Sequence, residues 1–154
     1  FCCFDENTYS YYRGIYGTMT VPREQQYKEF AEFIRSNNVR TKDAIEMHLA
    51  DEPFDKIKYG EKTIEIRLYD EKRQAITIGS DIIFYKGETR EEWIVATVIG
   101  LYRFDNFIEL FQSNLFDKTG CKNMTPEVVA ESMYKYYTKE QEQRYGVIGI
   151  EIQI

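Results

Sequence analysis

Apolar residues recur with two different spacings along this chain, and the switch between them outlines its elements. After Pro22, the residues Tyr27, Phe30, Ala31, Phe33 and Ile34 fall at helical spacing until Ser36-Asn37-Asn38 breaks the run. That predicts an amphipathic helix over roughly 22–36. Ala44 to Leu49 reads as a strand, and Glu52-Pro53 opens a short helix that buries Phe54 and Ile57 and stops at Gly60. From Thr63 the period becomes two. Ile64, Ile66 and Leu68 face one way, and Thr63, Glu65, Arg67 and Tyr69 face the other. Asp70 to Gln74 reads as a charged loop, Ile76 to Asp81 as a turn, Ile82 to Tyr85 as a strand and Gly87 to Glu92 as a polar hairpin tip. Trp93 to Tyr102 is a Val/Ile-rich strand with Gly100 as its bulge or bend.

Beyond it, Asn106 to Phe111 is a short helix, and Thr125-Pro126-Glu127 starts another, with Thr as cap. Val128, Val129, Met133, Tyr136 and Tyr137 continue that helix, and Gly146 to Ile154 closes the chain as an alternating strand. Five or six strands with helices between them, and too few strand–helix alternations for a doubly wound sheet, predict an α+β domain built on a small barrel.

Composition narrows the function. The 154 residues fit one compact domain. With 20 Lys+Arg against 26 Asp+Glu the net charge is −6, which argues against holding nucleic acid by bulk phosphate neutralisation. The 13 Tyr, 10 Phe and 1 Trp supply rings able to stack in a pocket as well as fill a core. Three dispersed cysteines make no disulfide framework, so a reducing, cytoplasmic setting is expected. His48 and Cys121 lack ligand-spaced partners, so no metal site is expected, and no glycine-rich phosphate loop or other cofactor motif is present. No apolar run is long enough to span a membrane, so no membrane role is expected. The chain starts at Phe1 rather than Met, which reads as processing or a cut from a longer chain.

The segment richest in chemistry is Gly60 to Arg73. Glu65 and Arg67 are two apart on one strand face, and Lys62 stands at the strand's mouth. Carboxylate, ammonium and guanidinium so placed can hold a polar ligand by charge-assisted bonds or shift one another toward acid–base use. They can equally form a surface ion-pair ladder of little energetic weight. From Lys58 to Arg73 there are five basic and four acidic residues, so this stretch is about neutral inside an acidic chain. A small nucleoside or a short strand suits that balance better than a long polyanion.

The order Gly60-x-Lys62-Thr63-x-Glu65-x-Arg67-Leu68-x-Asp70-x-Lys72-Arg73, followed by Gly79-Ser80-Asp81-Ile82-Ile83-Phe84, resembles the ASCH domain (activating signal cointegrator homology). His48-Leu49, Pro53-Phe54-x-x-Ile57-x-x-Gly60, and Arg144-Tyr145-Gly146-Val147 are similar to it as well. The resemblance covers roughly 44–154 and leaves 1–43 as an N-terminal extension, an irregular arm plus the 22–36 helix, through which a protein partner could dock. It implies a mostly antiparallel PUA-like β-barrel with surrounding helices. It also implies a cleft for RNA or a nucleoside or nucleotide ligand, lined by Lys62, Thr63, Glu65 and Arg67, with Lys72 and Arg73 on the adjoining loop.

Some relatives are hydrolases, one of them an amidohydrolase acting on acetylated cytidine and another a ribonuclease. The alternative reading is therefore an enzyme with Lys62 and Glu65 as catalytic groups. Lys62 matches that branch's lysine, but Glu65 stands where it has a threonine nucleophile. Its distant glutamate falls on Glu109 or Glu127 with no choice between them. Outside the motif, Tyr145 is a candidate for stacking on a base, Arg103 for reaching the cleft mouth, and His48 reads as packed at a barrel edge.

Overall fold

A computed structural model describes residues 45–154. The expected 22–36 helix, the arm before it and the junction at residue 44 lie outside the described residues.

Five strands form a single curled sheet: β1 (Ile45–Leu49), β2 (Ile64–Leu68), β3 (Asp81–Lys86), β4 (Trp93–Phe104) and β5 (Val147–Gln153), in the order β1-β3-β4-β5-β2. The β1–β3 pairing is parallel and the other three are antiparallel. This is the α+β, mostly antiparallel, PUA-like barrel expected. β4 is the long spine. Its first half pairs with β3 and its second half with β5, and the ladder slips between Val98 and Gly100. The slip is the bulge foreseen at Gly100, and it lets one strand bend around the curl. A Cβ at Gly100 would meet Glu151 Oε2 and the Tyr102 side chain at 3.0 Å, so a larger residue there would push those two side chains back by a few tenths of an ångström.

Both faces of the sheet are covered. Inside the curl a core forms from Met47, Phe54, Ile57, Ile82, Phe84, Val98, Ile148 and Ile150, with Ile76 against it. Helix α1 (Asp51–Lys58) lays Phe54 and Ile57 into this core. On the outer side, Ile64, Ile66 and Leu68 of β2 and Val147 pack against Phe107, Leu110, Phe111, Val129 and Ala130. The outer layer is built by α3 (Phe107–Phe111), a 3-10 turn (Phe116–Lys118) and α4 (Pro126–Met133).

Three local readings are corrected. Asp70 to Gln74 is not a plain loop. Asp70 caps a one-turn helix, α2 (Glu71–Gln74), by accepting from the Arg73 backbone N–H. The helix begun at Thr125 ends at Met133, so Tyr136 and Tyr137 lie in the turn after it. A further helix, α5 (Lys139–Tyr145), follows, and its start is a capping box between Thr138 and Gln141. The period-3.6 signal missed it because Lys139 to Tyr145 is polar almost throughout. Buried Glu142 is the exception. It accepts from the Phe107 backbone N–H at 2.7 Å and from the Tyr134 hydroxyl at 2.9 Å, which pins α5 to the start of α3.

Candidate nucleic-acid interface

β2 is an edge strand with apolar residues on one side and Glu65 and Arg67 on the other. Glu65 pairs with Ile150 and Arg67 with Ile148, so both charged side chains share the inward face with those core isoleucines. The face expected to line an open cleft is therefore interior, and Glu65 is only 3% exposed. A lone carboxylate there would be very costly. Its cost is offset by two cations. Arg67 Nε donates to Oε1 at 2.8 Å, and Lys62 Nζ stands 2.7 Å from Oε2. The Lys62 contact is an ion pair rather than an aligned hydrogen bond. Burial pushes the Glu65 carboxyl up, but the charges of Lys62 and Arg67 outweigh it and hold the group below the usual carboxylate range.

Arg67 reaches further. Its second terminal nitrogen donates to the His48 carbonyl of β1 at 2.9 Å, and the Tyr137 side chain lies against it. Burial lowers the Arg67 guanidinium, and the neighbouring Glu65 and Tyr137 more than restore it, so it stays charged. Lys62 is placed by its backbone N–H, which donates to the Lys56 carbonyl after α1 ends. Lys62, Glu65 and Arg67 thus converge as the sequence suggested. Two cations face one carboxylate, and neither pairs with a second one among the described residues.

The other candidates fall elsewhere. Thr63 is half-buried beside Lys62, and its backbone is tied to Lys118 and Ile152. Lys72 is exposed on α2 and donates to the Glu46 carbonyl at 3.1 Å. Arg73 pairs with Asp70 at 2.9 Å and leaves its Nε buried without a partner. Tyr145 packs on the outer core, with the Arg144 guanidinium 5.0 Å above its ring. Lys62 stands at the start of β2, whereas Tyr69, just past the end of β2, is bonded to Gly146 beside Tyr145. The two are separated by the length of β2, roughly 17 Å.

Glu109 and Glu127 are both exposed, tied to Asn106 and Gln112 respectively, and neither joins the triad. His48 packs at the edge as read. Its Nδ1–H donates to the Gly87 carbonyl at 2.7 Å, and its ring stacks on Tyr85. Two participants escaped the sequence reading: the backbone carbonyl of His48, and Tyr137, which reads as plain packing and does stack on Phe107. No local pattern could announce either, because both come from segments remote from β2.

A separate open hollow of about 400 Å³ lies along α1, lined by Asp51, Glu52, Asp55, Lys56, Tyr59 and Glu61. Four carboxylates to one lysine repel an anionic ligand, so the chemistry favours the triad over this hollow. Among the described residues no group of His, Cys, Asp and Glu is arranged to hold a metal ion, and no helix is long and apolar enough to cross a membrane.

A curled five-stranded barrel with helices outside it and a Lys-Glu-Arg triad on its edge strand defines a PUA-like α+β domain. Residues 47–154 match the ASCH domain, and the chain belongs to that family. Two solved structures are similar to the chain. The crystal structure of hypothetical protein PH0355 is 34% identical and has a TM-score of 0.64, covering 71% of this chain and 97% of that one. The solution structure of protein PF0455 from Pyrococcus furiosus is 31% identical and has a TM-score of 0.58, covering 71% of this chain and 96% of that one. No curated protein matches the chain.

Proposed function

We propose that the domain binds RNA or a nucleotide-like ligand at the opening between β1 and β2, with Lys62 and Arg67 as the cations that meet it. One observation carries the reading: two half-buried cations share a single ionised carboxylate, which leaves one unit of positive charge in a poorly solvated place on a chain of net −6. A phosphate or a polarised nucleobase carbonyl answers that imbalance by charge-assisted bonds. Thr63 adds a hydroxyl beside Lys62. Lys72, Arg73 and Tyr145 would meet only a ligand long enough to run the length of β2. Membership in the ASCH family supports the same ligand class. Residues 1–43 would be an extension to this domain, free to serve a protein partner, and the thiol chemistry suits the cytoplasm.

Hydrolysis through Lys62 and Glu65 is the weaker reading. A carboxylate held ionised by two cations is a poor proton acceptor near neutral pH.

The test is binding of a labelled ten-nucleotide single-stranded RNA and of single nucleotides at about 50 mM and 200 mM salt. Lys62→Ala, checked for folding by its melting curve, is expected to weaken binding about tenfold. Binding unchanged by Lys62→Ala would overturn the assignment.

A further inference from the structure

Tyr137 lies in the turn between α4 and α5, where its backbone N–H donates to the Met133 carbonyl at 3.1 Å. The next residue, Thr138, caps α5. The Tyr137 ring is stacked on Phe107, with centroids 5.6 Å apart and planes 24° from parallel. Phe107 is itself fully buried, and Glu142 holds its backbone N–H at 2.7 Å. Backbone and ring of Tyr137 are thus both fixed from the outer core, which leaves its hydroxyl little freedom.

That hydroxyl meets the guanidinium of Arg67, which stands on the inward face. A contact from the outer core to the inner face is possible here because β2 is an edge strand, and a side chain can pass round its free edge. Neighbouring tyrosines are used differently. Tyr134 also packs on Phe107, but its O–H donates to Glu142 at 2.9 Å. Tyr69 offers its face to an exposed arginine, with the Arg103 guanidinium 4.1 Å from its ring centroid.

Arginine can only donate, so the Tyr137 oxygen is the acceptor in its contact with Arg67. The phenol O–H is left over, and no acceptor among the described residues takes it. The guanidinium is not exhausted either. It has five N–H donors. Its Nε–H goes to Glu65 and one terminal N–H to the His48 carbonyl. Tyr137 takes a further one, so unspent donors remain. Three anchors from three separate segments fix the plane in which those donors lie.

We propose that Tyr137 is a positioning residue of the ligand site: its hydroxyl accepts from Arg67, sets the plane of the guanidinium, and aims the unspent N–H groups, with its own O–H, at the ligand. The proposal rests on the binding reading given above and adds to that site a residue from the outer layer. A phenol polarised by a cation is a stronger donor, so an oxygen of the ligand meets it as well as the two cations. The phenol is neutral, so it contributes affinity without contributing salt dependence.

The experiment uses the full chain, with a labelled ten-nucleotide single-stranded RNA and uridine monophosphate as probes. The variants are Tyr137→Phe, Lys62→Ala, Arg67→Lys and Arg67→Lys/Tyr137→Phe, each checked by its melting curve. Tyr137→Phe keeps the ring and removes only the hydroxyl. It is expected to weaken binding of both probes about tenfold. The slope of log K against log salt should stay as in the wild type, whereas Lys62→Ala flattens it by about one. In the Arg67→Lys background the same change should shift affinity by less than about twofold, because a point charge has no plane to set. One readout needs no variant: the Arg67 side-chain N–H and Tyr137 ring resonances should shift together as uridine monophosphate is added. Tyr137→Phe binding like the wild type, with Lys62→Ala impaired, would overturn the positioning role and leave the Lys62 anchor standing. Equal losses from Tyr137→Phe in both backgrounds would also overturn it, since the hydroxyl would then act apart from Arg67. Unchanged affinity in both Tyr137→Phe and Lys62→Ala would overturn the site as well. Arg67 resonances that shift while those of Tyr137 stay in place would overturn the role even if Tyr137→Phe failed to fold.

Discussion

Arg67 of β2 donates to the backbone carbonyl of His48 on β1 at 2.9 Å. These are the two outer strands of the sheet, and no backbone ladder joins them. The Lys72 ammonium repeats the contact one pleat away at the Glu46 carbonyl. Alternate carbonyls on the open edge of β1 are thus taken by cationic side chains, which both closes the curl and discourages another strand from pairing there. Arg67→Ala is expected to cost about 3 kcal/mol, because it breaks a half-buried pair as well as this link. Arg67→Lys is expected to cost less, since a point charge still meets Glu65 but cannot fork to His48. Urea denaturation of the two variants checks the order. Equal losses would mean that the link to His48 contributes nothing.

Glu65 gives the domain an acid limit. Its carboxyl titrates below the usual range in the folded state, so it contributes stability above the ordinary glutamate value of about 4.3. That contribution is lost as the pH falls through the lower folded value. Unfolding midpoints measured from pH 7 down to pH 3 should fall in the wild type, and part of the fall should vanish in Glu65→Gln. At pH 7 the same variant should itself be less stable, by about 3 kcal/mol, because it leaves two half-buried cations without their counter-ion.

Tyr134 gives an alkaline limit. Burial is the larger cause and its hydrogen bond to the Glu142 carboxylate the next, and together they push the hydroxyl up to about 12. A group whose folded value is raised contributes stability that is fully present below its ordinary value of about 10 and fades as the pH rises toward the folded one. The difference in stability between wild type and Tyr134→Phe should therefore shrink between about pH 10 and pH 12. A difference that stays constant across that window would show that the bond to Glu142 does not hold the proton.

Gly146 is a backbone requirement. It has φ 69° and ψ −169°, a region that essentially only glycine enters. A Cβ there would sit 2.9 Å from the Phe104 carbonyl oxygen. Gly146→Ala should cost about 2 kcal/mol or more, through strain and that clash together. A melting temperature within a degree of wild type would contradict this.

The elements whose partners are near in sequence were legible. Thr125 with Pro126, the Gly100 bend and the alternation from Ile64 to Leu68 each carry their cause within a few residues, and each appears where expected. The same alternation misled about environment. Thr63, Glu65, Arg67 and Tyr69 look like a solvent face because they are polar, but a sheet covered on both sides turns that face inward, and only the fold reveals it. Lys62, Glu65 and Arg67 could be grouped because strand period and a three-residue spacing place them together. Tyr145, Lys72 and Arg73 could not be placed relative to them, because β5 runs antiparallel beside β2 and carries Tyr145 to its far end. Helix α5 was hidden for another reason: its one buried side chain is a glutamate, and an acid that anchors a helix gives no apolar signal.

The closure made by Arg67 has one further consequence. Where backbone ladders join strands, spacing is fixed by a row of bonds that yield together. The β1 edge that faces β2 is held instead by the Arg67 guanidinium of β2 and the Lys72 ammonium of α2, each bonded to one carbonyl alone. This seam rests on single side-chain bonds, and the cation that fastens it from β2 is also one we propose meets a ligand. A guest that takes hold of Arg67 competes with the fastening, so occupancy of the site and the width of the barrel's gap are mechanically the same variable.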